Sequence, residues 1–177
     1  MKKLGVFLML AMVSTFSWAE SYEIPKEPKY HFFNDSFWDM NEELELMKEE
    51  KKKGMMIMFT MDECPFCHRM KSTVLNQPSI QKFYRNNFKL FEIDIEGDIE
   101  LINFKGEETT MKDFAWKEYK VRATPVFVFF DENGNYIKRA RFTGATNTKK
   151  EFKQLGQFVI DKEYKKQSFV KYKRNEK

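Results

Sequence analysis

Apolar and polar positions alternate along this chain in two periods, and the switches between them outline its elements. Residues 37–53 carry a helical stripe at Phe37, Met40, Leu44 and Met47. Ser36 and Asp39 have capping-box spacing before it. Acids crowd the start, Lys51, Lys52 and Lys53 the end, and Gly54 terminates it. Met55 to Thr60 is a short apolar run, as expected of a buried central strand. A helix is expected from Pro65 to about Leu75, broken by Asn76-Gln77-Pro78, and a second from Pro78 to about Asn86. Phe88 to Ile95 reads as a strand, and residues 96–108 as a polar, Gly-punctuated insertion in which Leu101 to Phe104 pairs as a small ribbon. Thr110 and Asp113 cap a helix through Tyr119. A strand from Val126 to Phe130 then turns through residues 131–135 into a strand from Tyr136 to Phe142. The last helix starts near Thr148 with Glu151 in its first turn, and Phe152, Leu155, Val159 and Tyr164 face inward.

The ends read differently. Residues 1–19 have the pattern of a secretory signal: Lys2 and Lys3, an apolar run from Leu4 to Val13, then Ser17-Trp18-Ala19 as a small-x-small site with cleavage after Ala19. That run is short for a bilayer span, and no cysteine follows it to carry a lipid. Residues 20–36, with Pro25 and Pro28, are expected to be an extended lead-in. Residues 166–177 are basic and poor in apolar side chains, as in a frayed, solvated tail. An exported protein in a periplasmic or similar compartment, where disulfides persist, is therefore expected.

Charge changes this picture little. The formal net charge is +4, and two of the lysines lie in the signal segment. The lysine run at 51–53 suits the end of a helix, so no nucleic-acid site is expected. Without the signal segment the chain is long enough for one domain with a sizeable core, and it holds no repeats.

Chemistry concentrates at Cys64-Pro65-Phe66-Cys67-His68, which holds the only two cysteines. A bridge across so short a loop constrains the unfolded chain very little, so a chemical use is more plausible than a structural one. Residues three apart on a helix share a face, which brings the two sulfurs within bonding reach. Cys64 is placed at the exposed helix start, where unpaired N–H groups favour a thiolate, and Cys67 a turn inside. This gives Cys64 as nucleophile and Cys67 as resolving thiol, with Cys64 expected to titrate modestly below a free thiol. Three alternatives carry over. Cys-x-x-Cys-His also matches c-type haem attachment. A metal site would need His68 and further ligands, and the methionines from 55 to 61 suggest a copper(I) site. The strand before the motif and the βαβ-like pattern after it argue against haem, and methionine is a common core filler.

With CPFC and Ala123-Thr124-Pro125 both in place, residues 37–165 resemble the thioredoxin superfamily. The chain looks most like its exported thioredoxin-like reductases, including those of bacterial sulfur-oxidation clusters. The resemblance implies an α/β fold with a central mixed sheet flanked by helices, an N-terminal helix, and a polar insertion before the helix that precedes a cis-proline. It implies Cys64 as nucleophile, Cys67 as resolving cysteine and Pro125 as the cis-proline facing them. The backbone at Thr124 would pair with an extended substrate segment, and Pro65 and Phe66 would lie against that substrate. The chain departs from plain thioredoxins in its Pro65-Phe66 dipeptide, where they carry Gly-Pro, and at Met58. Met58 stands where they carry a buried aspartate that helps deprotonate the resolving thiol, so Glu63 or water is expected to serve instead.

A thiol–disulfide oxidoreductase follows, with the cysteine pair as its only redox group, no cofactor and no metal. Its substrate would be a disulfide-bearing protein or small thiol, its electron donor a membrane thiol carrier, and its state monomeric. Apolar Pro65 and Phe66 and the acids Asp62 and Glu63 disfavour an extreme thiolate, so a net reductant is expected. A disulfide oxidase or isomerase, or a fold used only for binding, are the other readings.

Overall fold

The computed structural model describes residues 23–175, so the expected signal segment and the expected cut after Ala19 lie outside the described residues. A four-stranded sheet forms the middle layer. Strand β1 (Gly54–Thr60) runs parallel to β2 (Phe88–Asp94) and antiparallel to β5 (Val126–Phe130), which pairs with the short β6 (Phe142–Thr143). Every residue of β1 is buried, as its unbroken apolar run requires of a strand covered on both faces.

Alternation along the strands divides the core in two. Met56, Met58, Leu90, Phe127 and Phe129 point to one face, with Cys64 and Cys67. There they meet α3 (Pro65–Met70), α4 (Pro78–Asn87) and α6 (Lys149–Ile160). Met55, Ile57, Phe59, Phe91 and Phe130 point to the other, against α2 (Met40–Glu49) and α5 (Met111–Asp113). Helices α3 and α5 each continue as a wider π-helical turn, Lys71–Leu75 and Phe114–Glu118. The polar insertion forms an antiparallel ribbon of β3 (Glu100–Ile102) and β4 (Glu108–Thr110).

Four expectations need correction. The helix expected from Phe37 begins at Met40, because Trp38 adopts a left-handed φ of 66° and Asp39, not Ser36, caps it. Asp39 accepts from the Asn41 and Glu42 amides, and Phe37 is left 98% exposed, off the apolar stripe. The lead-in is not extended throughout. Residues Pro28–His31 form the short helix α1, and Phe32 and Phe33 after it enter the core. The strand expected from Tyr136 to Phe142 is reduced to a bridge at Tyr136 and to β6, because Lys138–Ala140 form a 3-10 turn that buries Ile137 and Ala140. The tail is docked, through a 3-10 turn at Glu163–Lys165 and helix α7 (Phe169–Asn175), with Phe169 buried.

Gly54 opens β1 where a side chain has no room. A Cβ there would fall against the Phe130 carbonyl oxygen, far inside contact distance. Gly54→Ala must displace backbone at the sheet centre and should cost about 2–3 kcal/mol, the upper part of the overpacking range. Urea unfolding checks this, and a variant with the wild-type midpoint would refute the close approach.

Candidate active site

The register of the sheet brings the predicted site residues to one end. Phe59 of β1 pairs with Val126 of β5, so Pro125 lies beside the end of β1, four residues before Cys64. The parallel strand β2 ends at the same edge, where Ile95 N–H donates to the Thr60 carbonyl at 2.9 Å. The carboxyl ends of β1 and β2 and the start of β5 thus converge on the cysteine motif.

Cys64 is the N-cap of α3, with Pro65 at its first position, where the missing amide N–H costs nothing. Cys64 and Cys67 form a disulfide with their Cα atoms 5.2 Å apart. The Cys67 amide donates to Cys64 Sγ at 3.1 Å, so a backbone dipole is already aimed at the first sulfur. Both cysteines are buried, at 2% and 1% exposure, which corrects the expectation of an exposed Cys64. Phe66 is presented to solvent, 59% exposed, with the Arg69 guanidinium 5.8 Å from its ring centre. His68 Nε2 lies 3.0 Å from the Asp62 carbonyl, which fastens the loop before the motif to the helix after it.

The Thr124–Pro125 peptide bond is cis. Pro125 is buried, and its carbonyl accepts from the Gly144 amide at 2.8 Å. Thr124 is half-buried, and its Oγ1 is shielded from solvent without a hydrogen-bond partner among the described residues. Two residues earlier, the exposed Arg122 stacks over Trp116 at 4.9 Å. Burial pushes the Tyr119 phenol, behind this loop, well above its ordinary value, so it acts as a neutral packing group among Phe59, Phe114 and Phe130.

Met58 is fully buried on the dithiol's face of the sheet. Glu63, the expected replacement for a carboxylate there, is exposed and does not line the cavity beside Cys67. That cavity, about 300 Å³, is bordered instead by Glu92 of β2 and by Lys71, which form an ion pair. Sequence reasoning missed Glu92. The available signal was a glutamate in step with Phe88 and Leu90, on the face of β2 that turns toward the motif helix. Among the described residues, no cluster of three or more histidine, cysteine or acidic side chains is arranged to hold a metal ion.

A dithiol–disulfide pair capping a helix, at the strand end shared with a cis-proline, defines a thiol–disulfide oxidoreductase. The chain belongs to the thioredoxin-like domain family, whose pattern it matches over residues 40–160. A thioredoxin-fold protein from Helicobacter pylori is similar, with 20% identity, 85% of this chain and 99% of that one covered, and a TM-score of 0.60. The oxidised DsbD C-terminal domain of Neisseria meningitidis aligns at 20% identity over 71% of this chain and 97% of that one, with a TM-score of 0.51. A Thermus thermophilus thioredoxin aligns at 23% identity over 70% and 85%, with a TM-score of 0.53. At these identities the likenesses speak to the fold. No curated protein matches the sequence.

Proposed function

We propose that this protein is an exported thiol–disulfide oxidoreductase that acts as a net reductant of disulfides in proteins or small thiols. The observation that carries the reading is the Cys64–Cys67 disulfide at the start of α3, with the Cys67 amide donating to Cys64 Sγ. That hydrogen bond strengthens when Cys64 carries a thiolate, which favours Cys64 as nucleophile. Cys67, bonded to it, resolves the mixed disulfide. An extended substrate segment would pair with the backbone at Thr124 and lie across Pro65, Phe66 and Pro125. The unpartnered Thr124 Oγ1 and the exposed Phe66 ring suit such a contact.

Export rests on the amino-terminal segment, and the reductant direction on the motif. Pro65 and Phe66 bring no charge to a Cys64 thiolate, and Asp62 and Glu63 just before it are exposed acids. The protein would act as a monomer without a bound cofactor and receive electrons from a membrane thiol carrier. Haem attachment finds no support in the fold, since the motif follows a buried central strand and its sulfurs are bonded to each other.

Equilibration with glutathione followed by thiol trapping tests the direction. A potential nearer the thioredoxin end (~−270 mV) than the strong-oxidant end (~−120 mV) is expected. Trapping in the periplasmic fraction of cells should find the protein there with the dithiol reduced. A pair kept oxidised, with a potential at the oxidant end, would overturn the reductant reading.

A further inference from the structure

Resolution of a mixed disulfide needs the Cys67 thiol to lose its proton, and Cys67 is only 1% exposed. Its proton must leave through the cavity of about 300 Å³ that Cys67 shares with Thr60, His68, Lys71, Glu92 and Asp94. Strand register places two carboxylates on the dithiol's face of β2, Asp94 opposite Thr60 at the strand end and Glu92 opposite Met58, nearer the dithiol helix. Glu92 pairs with Met58, and it follows Leu90 by two residues, so it shares the face on which Met58, Leu90 and both cysteines cluster. Lys71 lies four residues after Cys67, on the same side of the motif helix, and ion-pairs with Glu92. Helix and strand thus bring thiol, ammonium and carboxylate to one small space, and Glu92 Oε1 is shut off from solvent within it.

The other charged groups there are otherwise placed. His68 is held against the Asp62 carbonyl, Asp62 itself is exposed, and Asp94 accepts from the Glu96 amide at 3.0 Å. We propose that Glu92 takes the proton from the Cys67 thiol during resolution, with Lys71 positioning its carboxylate. The assignment rests on the oxidoreductase reading above. In the step, the Cys67 sulfur bonds to Cys64 Sγ and its proton passes across the cavity to Glu92, directly or through one water. The bond from Cys64 to the substrate sulfur breaks, and that sulfur leaves with the electron pair. The substrate disulfide is thereby reduced by two electrons and the dithiol oxidised. Glu92 then returns the proton to solvent at the cavity mouth. Lys71 pairs with the Glu92 carboxylate before the transfer, and once the proton has passed the negative charge departs on the substrate sulfur.

Stopped-flow reaction of the reduced protein with dithiobis(nitrobenzoate) separates the two chemical steps. Attack by Cys64 releases one coloured thiolate, and resolution by Cys67 releases the second. Glu92→Gln is expected to leave the first phase unchanged and to slow the second about 10²-fold near neutral pH, the low end for a positioned acid–base group. Its second phase should rise about tenfold per pH unit and approach wild type in alkali, as hydroxide replaces the carboxylate as base. A second phase equal to wild type, or slowed by one factor at every pH, overturns the assignment. Should that variant not fold, Lys71→Met carries the test, with the second phase slowed about tenfold and the first intact. Equal second phases in wild type and Lys71→Met would then overturn it. Wild-type protein without any fast first phase would count against the oxidoreductase reading itself.

Discussion

Cys64→Ser should reduce thiol–disulfide exchange to the uncatalysed background, whereas Cys67→Ser should attack once and stop as a stable mixed disulfide. The two sulfurs are nearly equally buried, so exposure does not separate their roles. The backbone does. Only Cys64 Sγ accepts the Cys67 amide, and a hydrogen bond to a charged acceptor contributes about 1.5–3 kcal/mol net. A thiolate is therefore favoured on Cys64, and the thiolate is the nucleophile. Cys64→Ser removes it and leaves Cys67 deep in an apolar cluster with Met58, Met70 and Phe127. Cys67→Ser keeps the N–H donor, because the backbone is unchanged, and removes only the resolving sulfur. Insulin reduction measures turnover in both variants, and mass spectrometry of the product with a disulfide peptide measures trapping. Turnover by Cys67→Ser, or an adduct on Cys64→Ser, would reverse the roles.

What could be read in advance followed from local rules. Strand β1 was legible because its seven residues are all buried, so the apolar run is continuous and short. Helix α6 was legible from Thr148, whose side chain accepts from the Glu151 amide as the capping spacing requires. The turn at 131–135 was legible because Asp131 Oδ1 accepts from the amides of Asn133 and Asn135. The dithiol and the proline after Thr124 stood out by residue type alone.

Other features depend on contacts between distant segments. Ser36 and Asp39 are both good caps, and the choice between them is made by Trp38, whose left-handed backbone lets its carbonyl accept from Ile102 of the ribbon at 2.8 Å. The second half of the 131–143 hairpin gives way to a 3-10 turn, where Arg139 reaches the Tyr164 and Lys165 carbonyls at 3.2 and 3.0 Å. Glu92 was hidden for a related reason. A glutamate in a strand usually marks a solvated face, and only the pairing of β2 with β1 shows that this one lies beneath the dithiol helix.

The carboxyl-terminal segment was misread because its composition is basic, and its apolar residues are few but well placed. Phe169 is 1% exposed, with ring centres 5.6 Å from Phe158, 5.9 Å from Phe142 and 6.4 Å from Tyr172. Phe158 is on α6 and Phe142 opens β6, so this ring joins α7 to the last helix and the edge of the sheet. Phe169→Ala should therefore destabilise the domain by about 3–5 kcal/mol, the usual cost of emptying a buried phenylalanine site. At roughly 2–4 °C per kcal/mol for a chain of this size, the midpoint should fall by about 10 °C. The ion pair from Lys173 to Glu151, at 2.6 Å, is the obvious competing source of docking energy. Lys173 is about a third exposed there, and pairs of that kind contribute about 0–1 kcal/mol, so Lys173→Ala should shift the midpoint only slightly. Thermal unfolding of both variants decides between them. If Phe169→Ala melts within a degree or two of wild type, α7 is not holding the domain. If Lys173→Ala proves the more damaging, charge rather than the aromatic cluster docks the helix.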